Sequence, residues 1–212
     1  MEKLTPNQVT DFLQDVRASY RLLYQYQRRV LDLARFIGDY YGCKYNGGYP
    51  KFSQNTPRRG KGNLENWAWD WLNLYFYEFN FEKPQVGVDA ISFAVYIQSD
   101  TGYYDAKNIG DHSFKLSEDA FAPVNISATR LLLVVGKNIW KNNDLLHEAN
   151  LKSTQKEGII EVDGKQASTY FKAYDLQQFF NEESSRKALA DFSKSCSTHG
   201  IPFEPAVQMT EE

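Results

Sequence analysis

Residues 5 to 42, TPNQVTDFLQDVRASYRLLYQYQRRVLDLARFIGDYYG, constrain the fold more than any other stretch. Val9, Phe12, Leu13, Val16, Tyr20, Leu23, Val30, Ala34, Ile37 and Tyr41 recur at steps of three and four, the spacing that keeps one face of an α-helix apolar. Leu22, Tyr26, Leu33, Phe36 and Tyr40 broaden that face. Thr5 is placed to cap the helix, Pro6 suits a first turn where its missing N–H costs nothing, and Gln8 completes a capping box. Gly42 follows as a stop. The pattern predicts one long helix, ending near Gly42 and buried over much of its circumference.

The polar side of this helix carries a second pattern. At about 100° per residue, Arg17, Arg21, Arg28 and Arg35 fall within roughly 40° of one another, with Tyr24 beside them. Asp32 lies near the row, and Asp11, Asp15 and Arg29 lie on its shoulders. The whole chain has a net charge of -3, but residues 1 to 62 hold eleven Lys and Arg against five acids, and the rest hold thirteen against twenty-two. Such an imbalance predicts either an anionic partner for the basic third or neutralisation of one region by the other inside the fold.

The segment GCKYNGGYPKFSQNTPRRGKGN reads as a loop, rich in glycine, proline and asparagine, and loops beyond about 12 to 15 residues are usually functional or mobile. Gly60-Lys61 supplies the GK of a phosphate-binding P-loop, but Asn55 and Gly62 stand where a glycine and a Ser or Thr are needed, so the Walker motif is absent. Arg58, Arg59 and Lys61 remain as anion-binding candidates ahead of a helix expected to start at Asn63, whose N-terminus would add its positive dipole end. Leu64, Trp67, Ala68, Trp71, Leu72 and Tyr75 have helical spacing, and Tyr75, Tyr77, Phe79 and Phe81 then alternate as in a strand. Trp69 falls off that helical stripe. It is the tryptophan expected to face a partner, and with the loop tyrosines Tyr45 and Tyr49 it is a candidate for stacking on nucleic-acid bases.

The middle of the chain predicts strands. VDAISFAVYIQSDTGYY and TRLLLVVGKN are rich in β-branched and aromatic residues, and EGIIEVDGKQASTYFKAYDL carries Asp163-Gly164, suited to a tight hairpin turn and hence to antiparallel pairing. Residues 105 to 128 have no clear pattern. Asp175 is expected to cap a helix beginning at Leu176, and SSRKALADFSKSCSTHG predicts a last helix closed by Gly200 and Pro202. The expectation is one α+β domain over residues 1–204, an antiparallel sheet of about four to six strands covered by the long N-terminal helix, a Trp-rich helix and C-terminal helices, with a loose tail over 205–212.

Composition excludes several classes. At 212 residues, 42% hydrophobic and 24% charged, the chain is an ordinary soluble globular sequence, made unusual by 4 Trp, 14 Tyr and 14 Phe. No apolar run reaches the roughly 18 residues of a membrane span, and the polar N-terminus does not read as a signal peptide. Cys43 and Cys196 stand in no CxxC pair and are expected as free thiols, so a cytoplasmic setting is expected. His112, His147 and His199 stand singly, no metal-ligand spacing occurs, and no cofactor or membrane partner is called for.

Catalytic signatures are weak. Asp163-Gly164-Lys165 has the letters of a nuclease (D/E)xK, yet Asp-Gly is better explained as the turn itself. Asp89, Asp100, Glu161 and Lys165 are the residues a metal-dependent nuclease or phosphodiesterase would have to use. The reading that carries more of the sequence is a binding protein whose Arg17, Arg21, Arg28, Arg35, Arg58, Arg59 and Lys61 engage an anionic partner, a nucleic acid or an acidic protein surface. A structural subunit with internally paired charges is the remaining alternative. The sequence leaves the oligomeric state open.

Overall fold

The structure, a computed structural model, describes residues 5–52, 68, 70–83, 89–109, 118–138, 156–162 and 167–206. Helix α1 runs Pro6–Tyr41. Its capping box forms as the sequence predicts: Gln8 N donates to Thr5 Oγ1, and Thr5 N donates to Gln8 Oε1 at 2.8 Å. Gly42 ends the helix in the left-handed region (φ 64), a conformation glycine adopts without a Cβ penalty.

Six strands follow: β1 (Lys44–Pro50), β2 (Phe76–Glu82), β3 (Ile91–Gln98), β4 (Arg130–Lys137), β5 (Glu157–Val162) and β6 (Ala167–Asp175). They form one antiparallel sheet in the order β1-β2-β3-β4-β6-β5. Helix α2 (Gly102–Ile109) leaves the end of β3, and helix α3 (Glu182–Thr198) closes the domain. The α+β class with a single antiparallel sheet is therefore what the chain adopts. β5 and β6 pair as the hairpin pattern requires, down to Val162 opposite Ala167, while the turn itself lies outside the described residues.

Strand alternation sorts the aromatic side chains onto two faces. Phe81, Phe93, Ile97, Leu133 and Tyr170 point toward α3 and the C-terminal half of α1, where Ile37, Tyr41, Leu189 and Phe192 complete the main core with Phe203. The rings pack edge and tilt: Phe93 lies 4.8 Å from Phe203, and Tyr41 4.4 Å from Phe203. Tyr41 is fully buried, and its hydroxyl donates to Leu189 O at 2.7 Å, which ties α1 to α3. The opposite face holds Phe76, Tyr96, Leu132 and Phe171 under Tyr103 and Tyr104 of α2. Gly38 lets α1 approach the sheet: a Cβ there would stand 2.7 Å from Phe81 Cε1.

Four expectations are revised. The segment from Lys44 to Pro50 is an edge strand rather than loop, paired with β2 through backbone groups that its glycine-rich sequence does not advertise; the register breaks between Tyr45 and Gly48, with Gly47 at φ 103. The Trp-rich helix falls mostly outside the described residues, and its described part, Ala68 and 70–75, consists of turns and bends. Pro205 and Ala206 are held against the body, Ala206 N donating to Tyr40 O at 2.9 Å; 207–212 lie outside the described residues. Finally, α1 is not buried along its length. Its 36 residues extend about 54 Å, but the covered part follows β2, from Gln27 bonded to Asn73 just before that strand to Gly38 against Phe81 near its end. The seven residues of β2 span only about 23 Å, so the sheet covers about half of the helix. Residues 5–15 and 17–25 are all exposed.

Candidate anion-binding face

The four arginines of the row are placed by one regular helix and by nothing else. Arg17, Arg21, Arg28 and Arg35 are all exposed, on the side of α1 turned away from Val30, Ala34 and Ile37. Eighteen residues separate the first from the last, so the row is straight and about 27 Å long. Among the described residues, none of the four forms an ion pair. The four charges are thus turned to water, with no acid of the described residues against them.

Arg35 stands at the body end of the row. It lines a groove of about 280 Å³ between α1 and the β1 edge, together with Leu31, Asp39 and Tyr45. Tyr45 is exposed, with its ring 5.8 Å from Phe81, so it offers a flank beside Arg35. Tyr49 does not join it: paired opposite Glu78, it belongs to the other face of the sheet. Arg58, Arg59, Lys61 and Trp69 lie outside the described residues.

The carboxylates of the nuclease alternative do not meet. Asp89 precedes β3 and Asp100 follows it, with about 23 Å of strand between. Asp89 pairs with Lys137 at 3.2 Å and accepts from Asn138 Nδ2 at 2.7 Å, and the Asn138 bond followed by Lys137 holds its carboxyl below the usual range. Asp100 Oδ1 accepts from Gly102 N at 2.8 Å, the hydrogen bond that starts α2. Glu161 lies on β5, separated from β3 by β4 and β6. Lys165 lies outside the described residues.

The densest titratable cluster was invisible in the sequence because its members come from three elements. Lys172 of β6 bridges Glu157 of β5 at 3.2 Å and Asp191 of α3 at 2.8 Å, and its Nζ donates to Ser195 Oγ at 3.1 Å. Tyr174 donates to Asp191 Oδ2 at 2.8 Å. A Lys beside a Ser invites comparison with a nucleophile and its base. Here burial would lower the ammonium, but the bonds from Asp191 and Glu157 outweigh it and hold Lys172 above its ordinary value. A lysine kept protonated does not take a proton from serine, so the cluster fastens α3 to the sheet edge.

Both cysteines are free and buried, and burial pushes the Cys43 thiol up to about 11 and the Cys196 thiol higher still. Neither is a nucleophile at neutral pH. Among the described residues, no group of His, Cys, Asp and Glu is arranged to hold a metal, and no helix is long and apolar enough to cross a membrane.

These features define a single-domain α+β protein with a half-free amphipathic helix, basic along its outer side. The chain belongs to the PM0109 family, whose description matches residues 6–202. No curated protein and no solved structure matches it.

Proposed function

We propose that this is a non-enzymatic binding protein that engages an elongated anionic partner along the outer side of α1. The observation that carries the reading is the row Arg17, Arg21, Arg28 and Arg35, exposed over about 27 Å with no acidic partner among the described residues. Four guanidinium groups kept in water on a rigid support suit phosphate oxygens, which arginine meets through its planar fork. The row is straight and longer than any small ligand, which favours a nucleic-acid backbone over a compact anion. Arg58, Arg59 and Lys61 would extend the same basic third, and Tyr45 beside Arg35 would supply a stacking surface. A cytoplasmic setting suits two unpaired, buried thiols.

The test is fluorescence anisotropy of labelled single-stranded and duplex DNA and RNA, titrated with the wild type and with Arg17→Glu/Arg21→Glu at several salt concentrations. Four phosphate contacts predict a slope of log K against log salt of about -3 to -4, and the double variant about half of that. Because these side chains are exposed and form no ion pair among the described residues, the variant should stay folded. Absence of binding to every nucleic acid at low salt would remove this partner and leave an acidic protein surface as the ligand of the row.

A further inference from the structure

The apolar side of the projecting half of α1 carries on the seam of its covered half. From Val9 to Tyr41 the steps alternate four and three, a spacing that serves a helix on a sheet and a helix on another helix alike. Gln27 is the one polar residue in this seam. Beyond Gln27 the seam is covered by the protein's own sheet; before it, Val9, Leu13, Tyr20 and Leu23 are exposed.

We infer that the partner of this seam is a second copy of the chain, its α1 running antiparallel about a twofold axis near Ala18. Area supports a dimer: the rings of Phe12 and Tyr20 are about 60% exposed, and with Val9, Leu13 and Leu23 they offer roughly 500 Å² per copy, or roughly 1,000 Å² for a pair, which reaches the lower bound of a specific interface. Shape supports a self-match, since with the axis near Ala18 Leu13 layers on Leu23 of the other copy and bulky Tyr20 on small Val16, with Ser19 at the crossing. Direction follows from the body. In a parallel pair the two sheets would crowd one end, where each seam from Val30 onward already has its cover. In the antiparallel pair the bodies stand at opposite ends, and Phe12 of one copy reaches Tyr26 of the other, at the mouth of a 380 Å³ apolar groove walled by Leu33, Phe36 and the exposed Phe180. Both arginine rows then fall on the same side of the pair, so salt should strengthen dimerisation while weakening polyanion binding.

The inference goes beyond the anion-binding reading and does not depend on it, since the test contains no polyanion. Sedimentation equilibrium of the full chain should give twice the chain mass, and Leu13→Glu/Tyr20→Glu, with unchanged circular dichroism, should halve it. Ser19→Cys should form an interchain disulfide on mild oxidation, because antiparallel helices bring the two position-19 side chains together whereas parallel ones hold them on opposite flanks of the seam; the native thiols are buried and silent. A monomer mass at the highest soluble concentration overturns the dimer. A doubled mass unmoved by Leu13→Glu/Tyr20→Glu overturns the seam, and a seam-dependent dimer without the Ser19→Cys cross-link overturns the antiparallel arrangement.

Discussion

The two halves of α1 read alike in sequence and live in different surroundings. Ile37 and Tyr41 are 0% exposed, while Leu23 and Tyr20, at the equivalent places in the same repeat, are 38% and 66% exposed. Periodicity shows that a helix face seeks apolar contact; it does not say what supplies that contact. The sheet supplies it from about Tyr26 onward, where the helix passes the start of β2 and the end of β3, and the strands reach no further. Charge divides differently, between the outer side of α1 along both its halves and the body. In the body, Lys172 is held by Glu157 and Asp191, whereas no arginine of the outer row has such a pair among the described residues.

Truncating the buried seam should produce the largest effect. Ile37→Ala removes three carbons from a fully buried site beneath the sheet, with an expected cost of about 2–5 kcal/mol in urea unfolding. Leu13→Ala, measured where the chain is monomeric, should stay within about 0.5 kcal/mol of wild type, since its side chain is already half in water. Comparable costs at the two sites would abolish the distinction between the halves.

A smaller effect separates paired from unpaired charge through pH. Burial would raise the Asp191 carboxyl, but the bonds from Lys172 and Tyr174 prevail and hold it below its ordinary 3.8. The folded protein therefore takes up this proton less readily than the unfolded chain. The stability that Asp191 contributes is full above about pH 4 and is lost as pH falls through the folded value. Lys172 is the mirror case: held above 10.5, it contributes below that pH and loses the contribution as pH rises beyond it. With Asp191 about half exposed, solvent screening reduces the effect to about 0.5–1 kcal/mol. Asp191→Asn should flatten the acid limb of a stability–pH curve by that amount, and Arg21→Glu should leave this limb in place. An acid limb untouched by Asp191→Asn would show that the cluster does not couple to folding.

What the sequence made legible follows from how local each signal is. Thr5, Pro6 and Gln8 act within one turn, and the alternation of Tyr77, Phe79 and Phe81 acts within one strand, so the ends of α1 and the faces of β2 could be read residue by residue, whereas β3, buried on both faces, showed only that it is a strand. β1 could not, because Asn46, Gly47 and Gly48 carry loop chemistry and the strand exists through its backbone bonds to β2, a contact between residues 27 to 38 apart in the chain. The arginine row was legible because one helix fixes it. The Lys172 cluster was not, since Glu157, Asp191 and Ser195 meet it only after β5, β6 and α3 have assembled. Burial of the first half of α1 differs from expectation for a further reason: helix length is encoded locally, whereas the strand it lies along, and that strand's length, come from residues 76–82, far along the chain.

The smallest effect bears on how the projecting half stays helical at all. A lone helix of about twenty residues is marginal in water because nucleation is unfavourable, but here the buried half has already nucleated the turns, and each further residue needs only to propagate. Local terms then decide how far helix persists toward Thr5, and the capping box is the largest of them, satisfying N–H groups that would otherwise be open. Thr5→Ala should cost about 1 kcal/mol of helix propagation, felt only by the terminal turns. In hydrogen exchange, amides from about Asp11 to Val16 should exchange about five-fold faster in a monomeric sample, while amides near Ile37 and the urea midpoint stay unchanged. If the change at Thr5 spread to Ile37, the two halves would be one cooperative unit. If instead the terminal amides were already slow and indifferent to the cap in concentrated wild type, yet sensitive to it on dilution, their protection would come from a second helix rather than from the capping box.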